Sequence, residues 1–276
     1  MQERDAVKIA LTATPAAPAA APLLLRGPVE DAFRLAAELG YDGVELHLRR
    51  PEDIDRVAVA RLARELRLGI PTLGTGMAAG EGLTFADPDP EVRRRAVARI
   101  KGHIQLAAHL GSGVTIGLVR GRLGQEVAAR ATAREAFLDC LDECCQAAAG
   151  LGVTLFLEAM NRYECDYLLT LDEVCAVIDE LGAPNLKLLA DTFHMNIEEA
   201  DMAAAIRRAG KRLGHVHLVD SNRWAPGYGH LDLPGILRAL ADIGYAGYLS
   251  FEALPLPEPG EALRHGLRAV REAGAV

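Results

Sequence analysis

The chain has 276 residues, of which half are hydrophobic and a quarter are charged, and its formal net charge is −8 at pH 7. This length suits one α/β barrel, which typically needs about 250 residues, so we expect a single domain over residues 1–276. The negative charge has the wrong sign for binding a phosphate backbone, which argues against a nucleic-acid partner.

The first 25 residues and the hydropathy pattern predict a cytoplasmic protein. The Ala-rich stretch near the N-terminus is interrupted by Pro15, Pro18 and Pro22, unlike the uninterrupted apolar core of a signal peptide. No apolar run approaches the ~20 residues that cross a bilayer, so we expect no membrane partner. The five cysteines are predicted to be reduced thiols packed as small hydrophobic side chains.

Short apolar runs alternate along the chain with longer amphipathic segments, which predicts parallel strands joined by crossover helices. The predicted strands are residues 8–13, 43–48, 69–74, 114–119, 153–158, 186–191, 215–219 and 248–252. The predicted helices are residues 29–39, 54–68, 90–110, 128–149, 171–181, 202–209, 234–243 and 261–273. Eight such units without a long linker predict an α/β fold, a closed (β/α)8 barrel. An open doubly wound sheet would need a Gly-rich turn after the first strand, and that turn is rich in Ala and Pro.

Glycines mark the ends of the predicted helices, and long loops follow some of the predicted strands. A glycine follows most of the predicted helices and is expected to be a left-handed C-cap, at Gly40, Gly69, Gly150, Gly182, Gly214 and Gly244. Three long connections follow strand ends, at residues 14–27, 75–89 and 222–231. In barrel enzymes this face carries the active site, so we expect the site there.

Charged side chains end four of the apolar strands. Glu158 ends VTLFLE, Asp191 ends LKLLAD, His217 lies in HVHLVD and Glu252 ends YLSFE. Any one of them alone would be read as a helix N-cap or a salt-bridge partner. Four donors at one rim predict a site for one divalent ion, because gathered carboxylates repel unless a cation neutralises them. His215 competes for the imidazole role, and His217 is preferred because it lies nearer the strand end.

Further polar residues follow these strand ends. Glu164, His194 and Arg223 come three to six residues after the candidate ligands, so we expect them to bind substrate. Read singly, His194 would be a structural residue and Arg223 a surface ion-pair partner. Arg120, at the end of the fourth strand, is a candidate for binding a terminal carboxylate or phosphate through its planar guanidinium, with a surface arginine as the equally weighted alternative.

At these residues the chain resembles the xylose isomerase-like (sugar phosphate isomerase/epimerase) TIM-barrel superfamily, and within it the D-tagatose 3-epimerase group. The motifs that carry the resemblance are EAMNRYE, ADTFHMNIEE, HVHLVDSNRWAPGYGH and SFEALPLP. The phrase IGLVRGR is similar to 5-keto-L-gluconate epimerases. The loops after the first and fourth strands lack the aromatic substrate contacts of epimerases that act on neutral ketoses.

The resemblance implies roles for individual residues. It implies a metal site formed by Glu158, Asp191, His217 and Glu252. The two glutamates would also be the catalytic acid and base, and Glu164, His194 and Arg223 would contact substrate. We therefore expect an isomerase, a metal-dependent ketose 3-epimerase that acts on a ketohexose or a keto sugar acid such as 5-keto-L-gluconate.

The expected reaction moves a proton at C3 through a cis-enediolate. Carboxylate and imidazole donors suit Mn2+ first, with Mg2+ or Co2+ as alternatives. A homodimer or homotetramer is expected. The alternatives are an aldose–ketose isomerase of the hydroxypyruvate isomerase kind, a sugar dehydratase, a non-catalytic sugar-binding protein and an endonuclease IV-like DNA repair enzyme. The last would need a multi-zinc cluster with more histidines and a basic surface.

Overall fold

This computed structural model describes residues 7–274 of the chain. Their strands form one parallel sheet. Its strands are β1 (Lys8–Thr14), β2 (Leu25–Arg26), β3 (Gly43–His47), β4 (Thr72–Gly74), β5 (Gly113–Ile116), β6 (Leu155–Glu158), β7 (Leu186–Asp191), β8 (Leu213–His217) and β9 (Tyr248–Phe251). Because β1 pairs with both β3 and β9, the sheet closes on itself. The predicted (β/α)8 barrel is confirmed, and the two-residue β2 is an addition beside β1.

Helices follow the strands around the outside of the barrel. They are α1 (Val29–Leu39), α2 (Arg56–Leu66), α3 (Gly76–Gly80), α4 (Pro90–Leu110), α5 (Val127–Ala149), α6 (Leu171–Leu181), α7 (Thr192–Glu198), α8 (Met202–Ala209), α9 (Leu233–Asp242) and α10 (Pro259–Glu272). The short helices α3 and α7 were not predicted. Residues 1–6 and 275–276 of the predicted domain lie outside the described residues. No helix among the described residues has the length and apolar character needed to cross a bilayer.

Two strand boundaries differ from the predicted ones for local reasons. The predicted strand 114–119 ends at Ile116, because Gly117 leaves the extended conformation and starts the 3-10 turn Leu118–Arg120. The predicted strand 69–74 is regular only from Thr72, and Gly69 makes a single bridge to Gly43. The first difference matters at the site, because it places Arg120 in a 3-10 turn and not in the strand.

The predicted glycine caps are confirmed only in part. Gly40 and Gly182 end their helices in the left-handed conformation, with φ of 79° and 62°. At the end of α2, Arg67 takes that conformation and Gly69 does not. Gly150 and Gly214 also have no positive φ. Gly69 is needed for space instead, because a Cβ there would overlap the Tyr248 hydroxyl.

The interior of the barrel is polar. Glu45 on β3 bonds to His215 and His217 on β8, and these strands are not neighbours in the sheet, so the bonds cross the barrel interior. Thr12 and Ser250 are also fully buried. Barrels of this class usually fill this space with Val, Ile and Leu. Here the apolar core lies mainly between the sheet and the helices.

We predict that Gly113→Ala destabilises the barrel by about 1–3 kcal/mol, because overpacking a closed interior forces side chains to shift. The added Cβ would overlap the Phe156 ring and lie 3.0 Å from the Thr154 carbonyl oxygen. The measurement is urea unfolding. Gly80→Ala is the control, since no described residue outside its own helix segment lies within 4 Å of its Cβ position. Equal midpoints for the two variants would contradict the packing argument.

Candidate active site

A cavity of about 540 Å³ lies at the carboxyl ends of the strands. Five residues predicted as site residues line it, namely Glu158, Glu164, His194, Arg223 and Glu252. The other two candidate ligands, Asp191 and His217, are fully buried beside this cavity. The sequence-based prediction of a shared rim therefore matches the geometry for seven residues.

The four candidate metal ligands converge. One donor atom from each of Glu158, Asp191, His217 and Glu252 lies within 4.8 Å of all the others. His217 Nδ1 is 3.7 Å from Asp191 Oδ2, 3.7 Å from Glu252 Oε2 and 3.9 Å from Glu158 Oε1. Two donors held about 2.1 Å from one ion are about 3–4.2 Å apart, depending on their angle at the ion. The spacing therefore fits a single divalent cation.

Two of these donor atoms have no partner among the described residues. Asp191 Oδ2 and His217 Nδ1 are buried and make no hydrogen bond. A buried acceptor without a partner is costly, and a buried charge without one is more so. Asp191 Oδ1, in contrast, accepts hydrogen bonds from the backbone N–H groups of Phe193 and His194 at the start of α7. One oxygen caps the helix and leaves the other free for an ion.

The electrostatics of Glu158 also favour a cation. Burial and the neighbouring Glu252 carboxylate raise the pKa of Glu158 to about 8. Without an ion, Glu158 would therefore hold a proton at neutral pH. A divalent cation bound at this point would replace that proton and allow both carboxylates to be ionised.

Beneath these ligands, Glu45 accepts hydrogen bonds from three imidazoles. Its carboxylate lies 2.9 Å from His47 Nε2, 2.8 Å from His215 Nε2 and 2.9 Å from His217 Nε2. Burial alone would raise the pKa of Glu45, but His217 and His215 hold it well below its usual range. Because an ionised carboxylate only accepts, His217 carries its proton on Nε2. In the neutral imidazole that binds a metal, the Nδ1 lone pair then faces the other three candidate ligands, as a metal-binding histidine requires.

This network also distinguishes His215 from His217. Glu45, His215 and His217 form a second group close enough for metal binding. Hydrogen bonds of ordinary length already account for that group. His215 is not part of the four-residue cluster, so the geometry favours His217, the preferred histidine of the sequence analysis.

Arg223 links the candidate substrate-binding residues to the candidate metal site. Its guanidinium lies 2.6 Å from Glu164 Oε1 and 3.4 Å from Glu252 Oε2, and 4.7 Å from the centre of the Phe193 ring. Its backbone is left-handed, with φ of 61°. Such a conformation is rare for a residue with a side chain and occurs mainly where the surroundings enforce it.

Asn161 determines the tautomer of His194. Asn161 Oδ1 accepts from the backbone N–H groups of Tyr163 and Glu164, which fixes the orientation of its amide. Its Nδ2 then lies 2.6 Å from His194 Nδ1 and can only donate. His194 therefore carries its proton on Nε2, which is buried, has no hydrogen-bond partner within residues 7–274 and lies 3.6 Å from Glu158 Oε1.

Arg120 has a different position from the predicted one. It is fully buried, so the surface alternative is wrong, and it is not among the residues that line the cavity. Its Nη1 donates to the Glu158 carbonyl oxygen at 2.7 Å, and its guanidinium lies 5.6 Å from the centre of the Tyr167 ring. The 3-10 turn after β5 directs it inward, where it holds the end of β6.

The sequence analysis did not identify Glu45, His47 or Asn161. Glu45 and His47 occupy alternate positions in the otherwise apolar strand GVELHL. A charged residue inside such a strand was the available signal. Asn161 lies inside the motif EAMNRYE, but the sequence did not indicate its role, because that role depends on a contact with a residue 33 positions away.

Comparisons with known proteins agree with this geometry. Residues 33–273 match the family described as "Xylose isomerase-like TIM barrel". The chain belongs to this family. An L-ribulose 3-epimerase of Mesorhizobium japonicum is 35% identical over 223 residues, which are 78% of this chain and 72% of the relative. A D-psicose 3-epimerase of Enterocloster bolteae is 37% identical over 224 residues, 76% of this chain and 71% of the relative. A solved structure of L-ribulose 3-epimerase has a TM-score of 0.83 at 29% identity and covers 97% of this chain and 95% of its own.

We predict that Glu45→Gln weakens Mn2+ binding by about 10–100-fold, as is typical when a partner of a ligating histidine is lost. Titration calorimetry of the metal-free protein measures this. Glu199→Gln is the matched control, because Glu199 accepts a backbone hydrogen bond from Leu171 away from the histidine network. Unchanged Mn2+ affinity in Glu45→Gln would show that the network does not support the ligand.

Asn161→Asp should move the proton of His194 onto Nδ1. The new carboxylate keeps the oxygen that accepts from the Tyr163 and Glu164 N–H groups but removes the donor to His194. Nitrogen-15 NMR of the imidazole reports the change directly. An Nδ1 resonance that stays unprotonated in the variant would refute the assignment.

Proposed function

We propose that this chain is a metal-dependent ketose 3-epimerase that acts on a ketohexose or a keto sugar acid. The observation that carries the proposal is the meeting of Glu158 and Glu252 at one cavity, with Asp191 and His217 completing a cation-sized group. Membership of the family and the epimerase relatives support the same reaction class.

The four converging residues would hold the ion, with Mn2+ as the first choice and Mg2+ or Co2+ as alternatives. When bound, a divalent ion polarises a substrate carbonyl and stabilises negative charge on the adjacent oxygens. Glu45 would keep His217 in the tautomer that accepts the ion. Cytoplasmic location and a homodimer or homotetramer stay predictions.

Inverting C3 requires one group to remove its proton and another to return a proton on the opposite face. Glu158 ends β6, and Glu252 follows β9, with β7 and β8 between them in the sheet. Two carboxylates that come from separated strands can approach a bound substrate from different sides. General acid–base catalysis of this kind typically contributes about 10²–10⁴-fold.

The neighbouring residues would orient the substrate. His194 presents its Nε2–H and Arg223 its guanidinium to the cavity, so both can donate to a substrate oxygen that gains negative charge. Glu164 holds Arg223 through an ion pair and can also accept from a substrate hydroxyl. These contacts fix which carbon lies between the two catalytic carboxylates.

The test is deuterium exchange in heavy water with added Mn2+, read by NMR on a panel of ketoses and keto sugar acids. We expect label at C3, loss of exchange after removal of the metal by a chelator, and recovery with Mn2+. Label at C1 or C2 would indicate an aldose–ketose isomerase instead. Normal Mn2+ binding without exchange in any ketose would refute catalysis.

Glu252→Gln should lower C3 exchange by about 10²-fold or more even at saturating Mn2+, because one proton-transfer group is lost. Asp191→Asn is the matched variant, since it changes a ligand without an acid–base role and keeps the oxygen that caps α7. At saturating Mn2+, the C3 exchange rate of Asp191→Asn should recover more fully than that of Glu252→Gln. Equal residual rates in the two variants would contradict the assignment of Glu252.

A further inference from the structure

We propose that the natural substrate carries an anionic group at the end remote from the reacting carbon, and that Arg49 binds this group. This inference rests on the proposed function and narrows its substrate class. The ligand chemistry is a terminal carboxylate or phosphate, which a guanidinium recognises through parallel N–H donors.

The position of Arg49 follows from strand β3. Glu45 and His47 alternate along this strand and face the barrel interior, where both take part in the histidine network. Arg49 continues the same alternation two residues beyond the strand end. It lines the cavity that also contains Glu158 and Glu252.

The charge of Arg49 is only partly compensated. Its Nη1 lies 3.6 Å from Glu81, which is beyond hydrogen-bonding distance. The same Glu81 carboxylate bonds to Arg99 at 2.8 Å and lies 3.8 Å from Arg50. One carboxylate therefore faces three guanidinium groups, which leaves a surplus of positive charge beside the cavity. The Arg49 side chain is 45% exposed, so it can turn toward a ligand.

Arg223, the other arginine that lines the cavity, is already paired with Glu164 and Glu252. Arg120 was the sequence-based candidate for an anionic group, but it is buried behind the site. Among the described residues that line the cavity, Arg49 is thus the arginine whose positive charge is not fully compensated.

The remaining wall offers few polar groups to a neutral sugar tail. It is formed largely by small or apolar residues, among them Pro18, Ala20, Pro22, Met77, Gly80 and Leu118. The Thr75 hydroxyl donates to the Thr115 carbonyl oxygen, and the Thr115 hydroxyl bonds to Thr72. On this wall a terminal hydroxyl would find only acceptor lone pairs, on the Thr75 and Thr115 hydroxyls and on His47, whereas an anion would gain a charge-assisted bond to Arg49.

The experiment compares three ketoses that differ only at C6, namely D-fructose, D-fructuronate and D-fructose 6-phosphate. KM and kcat for C3 exchange are measured in the Mn2+ enzyme, in Arg49→Gln and in Arg50→Gln. Arg50 shares Glu81 with Arg49 but does not line the cavity, which makes it the matched control.

We expect the wild-type enzyme to have a lower KM for one of the two anions than for D-fructose. Arg49→Gln should reduce this KM preference by about tenfold, a typical effect of losing one hydrogen bond to a charged group. Arg49→Lys should keep part of it, and Arg50→Gln should leave it unchanged. A lower KM for D-fructuronate would identify a carboxylate as the bound group, and a lower KM for D-fructose 6-phosphate would identify a phosphate.

Equal KM values for all three sugars in the wild-type enzyme would overturn the inference, and so would a preference that survives Arg49→Gln. If no ketose exchanges, the proposed function fails separately. In that case the affinities of the Mn2+-loaded wild-type and variant proteins for D-gluconate and D-glucitol are compared. These two probes differ only in the terminal carboxylate, so the comparison still tests the role of Arg49. Equal affinities for them would reject it.

Discussion

The crowding of carboxylates around the Nδ1 atom of His217 is the constraint on which the rest of the site depends. Glu158, Asp191 and Glu252 bring donor oxygens within 4 Å of this atom, which has no hydrogen-bond partner in the described part of the chain. Such a group is unfavourable without a counter-charge, because each added carboxylate opposes the ionisation of the others. A divalent cation would be stabilised by these same carboxylates, which would then act as its ligands. Because the barrel is closed, the strands cannot relieve the repulsion by moving apart.

The polar interior follows from this constraint. A metal-binding imidazole needs its second nitrogen held, and Glu45 does this for the candidate ligand His217 from the opposite side of the barrel, while also binding His47 and His215. The space under the site is therefore filled by hydrogen-bonded groups instead of aliphatic layers. A buried network of this kind is favourable only when its members are satisfied, and the Glu45 carboxylate meets that condition with three donors. Apolar burial is left to the interface between sheet and helices.

The sequence predicted the fold and the seven clustered residues because each signal was local. An acidic residue or histidine that ends an apolar strand is visible without tertiary knowledge, as at Glu158 and Asp191. The burial of Arg120 could not be predicted, because it depends on the 3-10 turn that follows Gly117, where the sequence analysis expected a continuous strand. Asn161 was missed because the partner that gives it a role is distant in the chain. Long-range pairing of this kind leaves no periodic trace in a single sequence.

The sequence suggested two roles for Asp191, helix N-cap and metal ligand, and its geometry supports both. Together they connect the candidate metal site with helix α7. Oδ1 accepts from the N–H groups of Phe193 and His194 and so sets the start of α7. That helix carries the His194 imidazole, and the Phe193 ring that lies against the Arg223 guanidinium. Oδ2 lies 3.7 Å from His217 Nδ1 in the candidate metal site. The candidate metal ligand Asp191, the candidate substrate-binding His194 and the contact of Phe193 with Arg223 are therefore connected through one short helix.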